Sequence, residues 1–234
     1  MKVLKSLTLL FTLVTAAPAS AALVGVDFGG GTTPTNWNIL LGGDNPLTLT
    51  NLIDETGAPT TIDLEVNGAV GNDAITTFGT PNAATVPTHT QSLSGIDNGV
   101  GDAGGLSIVL SSLVPNASYE LYIFGGPSPF VFAHDVTVTH GGAPIVFAQA
   151  PANNDLWING SIGTNAQLDT FALTVTATPA GTITITTTSI QSGTELGGIA
   201  LQQILAAAII PEPATASLGL LALAGLTLRR RRMA

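Results

Sequence analysis

Apolar and polar residues alternate with a period of two along most of this chain. The alternation recurs in short segments rich in Thr, Val and Ile, which is typical of strands with one buried face. Turn-forming pairs such as Asn67-Gly68, Gly141-Gly142 and Asn159-Gly160 separate these segments, and no long helical periodicity interrupts them. The pattern predicts an all-β sandwich in one domain. The predicted strands include Leu47–Leu52, Ile62–Val66, Tyr119–Ile123, Val136–Val138, Phe171–Val175, Ile183–Ile185 and Gly198–Leu205.

Charge is distributed very unevenly. Lys2 and Lys5 stand at the start and four arginines stand near the end, with no Lys or Arg between Lys5 and Arg229. Of the 15 Asp and Glu residues, all except Glu212 lie in residues 23–210. Nucleic acids and anionic membrane surfaces need a basic footprint, so they are excluded as partners of this acidic middle part. Divalent cations and neutral polymers are the expected partners.

Residues 1–22 have the three parts of a secretory signal peptide. Lys2 and Lys5 form the charged start, Leu7–Val14 form the apolar stretch, and Ala17–Ala22 form the small-residue cleavage region. The apolar stretch is far shorter than the roughly 20 residues of a spanning helix, which argues against an uncleaved anchor. We therefore expect the chain to be exported.

A second signal occupies residues 211–234. The segment Ala214–Leu228 is apolar, and the motif before it and the cluster after it consist of Pro211, Glu212, Pro213, Arg229, Arg230, Arg231 and Arg232. An Arg cluster directly after an apolar segment stays in the cytoplasm. The pattern predicts a transmembrane sorting helix, with a domain at 23–205 outside the membrane and a linker at 206–210.

This tail resembles the PEP-CTERM sorting signal of Gram-negative bacteria that make extracellular polysaccharide. The resemblance rests on the order of the Pro-Glu-Pro motif, the apolar helix and the Arg cluster. It implies recognition by an exosortase, a membrane cysteine protease, with cleavage near Pro211–Pro213. The chain would be an inner-membrane intermediate first and a cell-surface or extracellular-matrix protein afterwards. The alternative is a plain C-terminal membrane anchor with the same topology.

Three segments of the middle part resemble galactose-binding-like and malectin-like jelly rolls. They are Val24–Gly31 with the Trp-bearing loop behind it, Leu113–Phe124, and the closing Gly197–Gln203. The resemblance covers most of residues 23–205 in order and implies a single jelly-roll-type β-sandwich. Because the matched positions are structural, it implies fold more than function.

Enzymatic motifs are sparse. The chain has no Cys nucleophile, no Gly-x-Ser-x-Gly elbow, no His-Glu-x-x-His motif and no phosphate-binding loop. His134 and His140 stand at the two ends of one predicted strand, about 20 Å apart, which is too far to share a metal. Asp63 and Glu65 share a strand face, as the two carboxylates of a glycosidase do, but that face is more simply the solvated one. We predict a non-catalytic protein with structural or exposed histidines, His89 included.

Carbohydrate contact is the better-motivated prediction. Both tryptophans lie among Asn-rich segments. A flat aromatic ring suits the apolar C–H face of a sugar, and neighbouring amides and carboxylates suit its hydroxyls. The alternative is that both rings pack in the core or at a sheet edge. The candidate carbohydrate-binding residues are Asn36, Trp37, Asn38, Asn154, Asp155 and Trp157.

Asp97, Asn98 and Asp102 form a candidate calcium site. They gather oxygen ligands around two glycines, as loops that bind hard cations do. The segment lacks the EF-hand spacing and its terminal Glu, and the alternative is a glycine-rich turn. Ca²⁺ is the one cofactor that the sequence suggests.

Together these features predict an exported carbohydrate-binding module that contacts extracellular polysaccharide. The first alternative is a structural or adhesive matrix protein without a defined ligand site. The second is a secreted glycan-active hydrolase or esterase.

Overall fold

The computed structural model describes residues 21–205, except 30–31, 42–45, 69–74, 78–79, 97, 103, 129 and 192. The predicted signal peptide up to residue 20, the linker at 206–210 and the sorting signal at 211–234 lie outside the described residues. Among the residues that are described, no helix is long and apolar enough to cross a membrane. The described part belongs to one compact unit, Ser20–Leu205.

The larger sheet contains seven of the described strands. They are β1 (Val24–Phe28), β2 (Asn38–Leu40), β8 (Ser118–Gly125), β11 (Trp157–Ile158), β12 (Ser161–Ile162), β13 (Leu173–Thr176) and β16 (Gly198–Gln203). Their order is β12–β11–β8–β16–β1–β2, and β13 pairs with β8 beside β11. The pairs are antiparallel except for β1 with β2.

The second sheet contains six strands in the described part of the chain. They are β3 (Leu47–Leu49), β4 (Asp63–Asn67), β7 (Ser107–Ser111), β9 (Ala133–Thr139), β10 (Ile145–Gln149) and β14 (Ile183–Gln191), in the order β10–β9–β14–β7–β4–β3. A small third sheet has the order β15–β6–β5. Its strands are β5 (Ile75–Thr77), β6 (Asn98–Asp102) and β15 (Thr194–Leu196).

The main core lies between the two large sheets. Side chains from β8, such as Leu121 and Ile123, and side chains from the second sheet, such as Val136 and Ile185, belong to one buried cluster. The prediction of an all-β sandwich is therefore confirmed. The predicted solvated face of β4 is also found, since Leu64 is buried while Glu65 is exposed.

The larger sheet is covered on its other face as well. Successive side chains of a strand point to opposite faces, and on β8 the residues Tyr122 and Phe124 belong to a second buried cluster. This outer cluster also takes in Leu93, Leu156 and Leu168 from the loops between strands. The segments at 80–96, 152–156 and 163–172 thus form a third layer over the sheet, and the candidate site lies in this layer.

Most predicted strands differ from the observed ones in their ends, and for two of them the contacts show why. β3 stops at Leu49, because Leu52 leaves the ladder and its N–H donates to the carbonyl of Ile62 at 2.9 Å. β13 begins at Leu173, since Phe171 ends a short 3₁₀ turn that starts at Leu168. The alternation in the sequence thus extends past the end of β3 and begins before the start of β13.

Candidate functional site

Two depressions adjoin on the outer face of the larger sheet, where both are lined by Thr88, His89 and Thr90. The wider one has a volume of about 450 Å³, and the more enclosed one about 210 Å³. We call the pair the outer groove. The polar side chains of its enclosed part are Thr88, His89, Thr90, Tyr122, Gln167, Asp169 and Gln202.

Strands β8 and β16 form the floor of the outer groove. Their antiparallel register places Gln202 opposite Glu120 and Ala200 opposite Tyr122. Because Ala200 is small, the phenol ring of Tyr122 has room beside it. The Tyr122 hydroxyl donates a hydrogen bond to Glu120 Oε2 at 3.1 Å, which fixes its position.

The wall that carries His89 is held by backbone hydrogen bonds. The Thr88 N–H donates to the carbonyl of Ala166 at 2.8 Å, and the Leu168 N–H donates to the carbonyl of Thr88 at 3.1 Å. Leu93 and Ile96, further along this loop, are fully buried in the outer cluster. The loop is therefore anchored at both ends, and the groove is preformed.

His89 is neutral at neutral pH. Burial lowers its pKa, and the nearby Glu55 carboxylate counteracts this only in part. The N–H of Gln91 donates to His89 Nδ1 at 3.3 Å, so the neutral ring carries its proton on Nε2. Nε2 lies 3.9 Å from Glu55 Oε2.

The phenol of Tyr122 also stays protonated. Burial raises its pKa first of all, and the neighbouring carboxylates of Glu120 and Asp169 raise it further. The groove therefore offers an imidazole N–H, a phenol, amides, hydroxyls and the Asp169 carboxylate, with no Lys or Arg among its lining residues.

The predicted sugar contact at Trp37 is corrected by the structure. The residue is only 5% exposed, because its ring lies over Gly25 and against Phe124, with the two ring centroids 5.8 Å apart. The Asn38 amide is occupied as well, since it bonds to the backbone of Gly25 and Ile53. The packing alternative is the one observed for this tryptophan.

Asn36 stays at the surface of the same loop. It is exposed, and its Nδ2 donates to the Glu55 carbonyl at 3.0 Å. The carbonyl of Glu55 also accepts from Gln91 Nε2 at 3.2 Å. Asn36 is thereby linked to the loop that forms the groove wall.

The second predicted tryptophan has a different position. Trp157 is half-buried on β11, where it pairs with Gly125 of β8. Asp155 accepts a hydrogen bond from Asn82 Nδ2 at 3.2 Å, and the Asn154 N–H donates to the Ser128 carbonyl at 2.9 Å. Asn154 and Asp155 thus fasten neighbouring loops, while Trp157 keeps part of its surface open.

The candidate calcium segment is a strand rather than a loop. Asn98–Asp102 form β6, which pairs with β5 on one side and β15 on the other. An extended backbone does not bring Asn98 and Asp102 round a common centre as a calcium loop does. Asp97 lies outside the described residues. Among the described residues, no group of three or more His, Asp or Glu side chains could hold a metal ion.

A buried polar cluster lies at one end of the sandwich and was not predicted. It contains Ser128, His134, Gln149 and Glu195, all of them fully buried. Burial raises the pKa of Glu195 to about 8, with Ser128 lowering it slightly, and burial lowers the pKa of His134 to about 4. Both groups are therefore neutral at neutral pH. The sequence offered one signal for this cluster. The acidic residue Glu195 stands just before Gly197-Gly198, at the start of an otherwise apolar segment.

The residues of the outer groove were also missed by sequence reasoning, apart from His89, which was noted without a role. Tyr122, Gln167, Asp169 and Gln202 come from a strand, a loop, a 3₁₀ turn and the last strand. No local motif joins them, because the groove arises only when β16 pairs with β8.

Comparison with known proteins gives weak structural matches only. No protein-family model and no curated protein matches the chain. The structure of TmCBM61 in complex with β-1,4-galactotriose is similar over 60% of this chain and 84% of that one, with 13% identity and a TM-score of 0.30.

Two larger proteins match over less of their length. The exo-β-1,3-galactanase Pc1,3Gal43A of Phanerochaete chrysosporium, with galactose, has 15% identity and a TM-score of 0.28, covering 63% of this chain and 31% of that one. Tailspike protein 4 of bacteriophage CBA120 has 12% identity and a TM-score of 0.24, covering 60% of this chain and 17% of that one. The chain thus spans less than a third of either protein.

Proposed function

We propose that this chain is an exported cell-surface or matrix protein whose β-sandwich binds extracellular polysaccharide at the outer groove. The observation that carries the proposal is the convergence of His89, Tyr122, Asp169 and Gln202 on one enclosed space. These groups come from separate parts of the chain and meet on a rigid sheet. Such convergent polar groups in a preformed depression are the ordinary sign of a ligand site.

The chemistry of the groove suits sugar hydroxyls. Each hydroxyl donates one hydrogen bond and accepts others, so a sugar needs donors and acceptors together. The groove supplies donors at His89 Nε2 and acceptors at the Asp169 carboxylate, while Gln167 and Gln202 supply both. The wider part, at about 450 Å³, lies within the roughly 300–1,000 Å³ range of small-molecule sites. A groove that is open on one side admits a polymer along its length.

We infer binding rather than catalysis. A nucleophile needs activation by a neighbouring base or by a lowered pKa. The pKa of Tyr122 is instead raised by burial. The phenol therefore stays protonated, and its hydroxyl is engaged with Glu120. Among the described groove residues, no Ser or Thr hydroxyl is hydrogen-bonded to His89, because its Nδ1 accepts the Gln91 N–H and its Nε2 faces Glu55.

Trp157 is the second position proposed for a sugar contact. Its strand β11 pairs directly with β8, but the neighbouring Ile158 belongs to the outer cluster, so the half-buried Trp157 ring points to the opposite face of the sheet from the groove. A long polymer could contact both places. A structural matrix protein would have neither contact. One binding experiment therefore distinguishes binding at the outer groove, binding at Trp157 and no binding at all.

The test is binding of the purified chain to immobilised bacterial and plant polysaccharides. We expect saturable binding to one class, weakened at least tenfold by His89→Ala. His140→Ala is the matched control, because His140 is half-buried and bonds only to neighbouring backbone N–H groups. Trp157→Ala tests whether the Trp157 ring contributes to polysaccharide binding. Absence of saturable binding across the panel, or equal loss in both histidine variants, would reject the outer groove as a polysaccharide site.

Export and processing form the second half of the proposal, supported by the two terminal signals in the sequence. The test is the intact mass of the protein recovered outside a Gram-negative host that has an exosortase. We expect both ends to be removed, with the C-terminus near Pro211–Pro213. Retention of Arg229–Arg232 in the external protein would contradict processing.

A further inference from the structure

We propose that the outer groove selects sugars that carry a free amino group, with Asp169 as the specificity-determining residue. The inference rests on the proposed polysaccharide function and narrows its ligand class. It concerns a protonated, cationic hexosamine unit rather than a neutral or acidic sugar.

The carboxylates around the groove have no Lys or Arg side chain beside them in the described part of the chain. Asp169 lines the groove, Glu120 Oε2 lies 3.1 Å from the Tyr122 hydroxyl, and Glu55 Oε2 lies 3.9 Å from His89 Nε2. No Lys or Arg occurs in the chain between Lys5 and Arg229. His89 is the one basic side chain that lines the groove's described surface, and burial lowers its pKa. A positively charged group on the ligand would therefore complement these carboxylates.

Asp169 is the carboxylate that remains available to a ligand. Glu55 Oε1 accepts the Leu23 N–H at 3.1 Å and its Oε2 faces His89, while Glu120 accepts from Tyr122. The Asp169 carboxylate accepts no hydrogen bond from any described residue, and the residue is exposed at the groove rim. The short 3₁₀ turn Leu168–Phe171 fixes its place, because Leu168 is buried beneath it.

A free amino group satisfies this carboxylate in a way that other sugar groups do not. An ammonium donates charge-assisted hydrogen bonds, which are stronger than bonds between neutral groups. An N-acetylated sugar keeps the shape but loses the charge. A uronate adds a carboxylate beside Asp169, Glu55 and Glu120, and like charges repel.

The experiment is calorimetric titration of the full chain, kept in mild detergent, at mildly acidic pH. The probes are glucosamine tetramer, its fully N-acetylated form and galacturonate tetramer. We expect the glucosamine tetramer to bind about tenfold more tightly than the acetylated form, and the galacturonate tetramer not to bind. Asp169→Asn should abolish the preference, because it keeps the shape and removes the charge.

Glu65→Gln is the matched control, since Glu65 is exposed on β4 in the other sheet and the charge change is the same. Equal weakening by both variants would mean general attraction to an acidic protein and would overturn the inference. Equal affinity for the amino and acetylated tetramers would also overturn it, while leaving polysaccharide binding intact. Failure of all three tetramers and of the polysaccharide panel would reject the proposed function as well. Unchanged unfolding temperatures would confirm that both variants fold.

Discussion

The indole ring of Trp37 lies flat against Gly25, a strand residue that has no side chain to hold it away. A Cβ atom on Gly25 would stand 2.7 Å from Trp37 Cε3 and closer still to Cδ2 and Cε2. Val24 and Val26, on either side of Gly25, point into the main core. Gly25 therefore clears the opposite face of β1 for the ring, and the ring closes one side of the outer cluster.

Gly25→Ala should destabilise the protein by about 1–3 kcal/mol, the usual cost of overpacking a dense core. Trp37→Leu removes the ring that the new methyl group would meet. We expect the double variant to be more stable than the sum of the two single effects predicts, by at least about 1 kcal/mol. Urea unfolding of the four proteins measures this coupling. Strictly additive effects would show that the two residues do not contact each other in solution.

A second prediction concerns Glu195 and pH. The ordinary pKa of its carboxyl is 4.5, and burial raises it to about 8 in the folded protein. As pH rises from about 4.5 to about 8, the unfolded chain loses this proton while the folded chain keeps it. Stability therefore falls with rising pH across that window, by roughly 1.4 kcal/mol per pH unit.

His134 acts in the opposite direction at lower pH. Its pKa is lowered from 6.5 to about 4, so its contribution to stability is lost as pH falls through that range. The effect of Glu195 is therefore clearest between pH 6.5 and 8, where little of the His134 titration remains.

Glu195→Gln should remove most of the stability loss between these two pH values. The wild-type chain should lose about 2 kcal/mol over this interval. Glu65→Gln, an exposed charge removed from another strand, is the control. Parallel loss of stability in the wild type and in Glu195→Gln would show that Glu195 is ionised at neutral pH.

A third prediction concerns Asn159, whose side chain fills a gap in the larger sheet. One edge of β8 pairs with β13 near its start and with β11 near its end. Between them, the Asn159 amide accepts from the Ile123 N–H at 3.0 Å and donates to the carbonyls of Leu121 and Phe171 at 2.7 and 2.8 Å. The side chain thus acts as a short piece of strand.

Asn159→Ala leaves these three backbone groups without partners and should cost about 2–4 kcal/mol. Asn159→Asp should cost a similar amount, because a carboxylate cannot donate to the two carbonyls. Thermal unfolding monitored by circular dichroism measures both. Loss in Asn159→Ala with none in Asn159→Asp would contradict the assigned amide orientation.

Sequence periodicity predicted several strands, among them β4, β8 and β14, but it missed β7 and β10 and did not predict what covers the sheets. The alternation of β8 marks Tyr119, Leu121 and Ile123 as one buried face, and the structure confirms it. The same pattern leaves Tyr122 and Phe124 on a face that reads as open, whereas loops distant in the sequence bury them.

The two tryptophans illustrate the same limit. Trp37 and Trp157 have similar polar neighbours in the sequence, yet one is buried and the other is half-buried. Gly25 was the available signal, since a glycine inside a strand marks a close approach. Asn159 was predicted as a turn residue, and only the pairing of three strands reveals its role.

Nuclear magnetic resonance tests most directly whether the outer groove is the polysaccharide site. The isotopically labelled chain would be titrated with the oligosaccharide that binds best, and the backbone amide signals followed. We predict that the largest shifts occur at Thr88, Gln91 and Leu168, whose amides lie in or beside the groove wall. Shifts centred on Trp157 and β11, or spread evenly over the surface, would contradict the assignment.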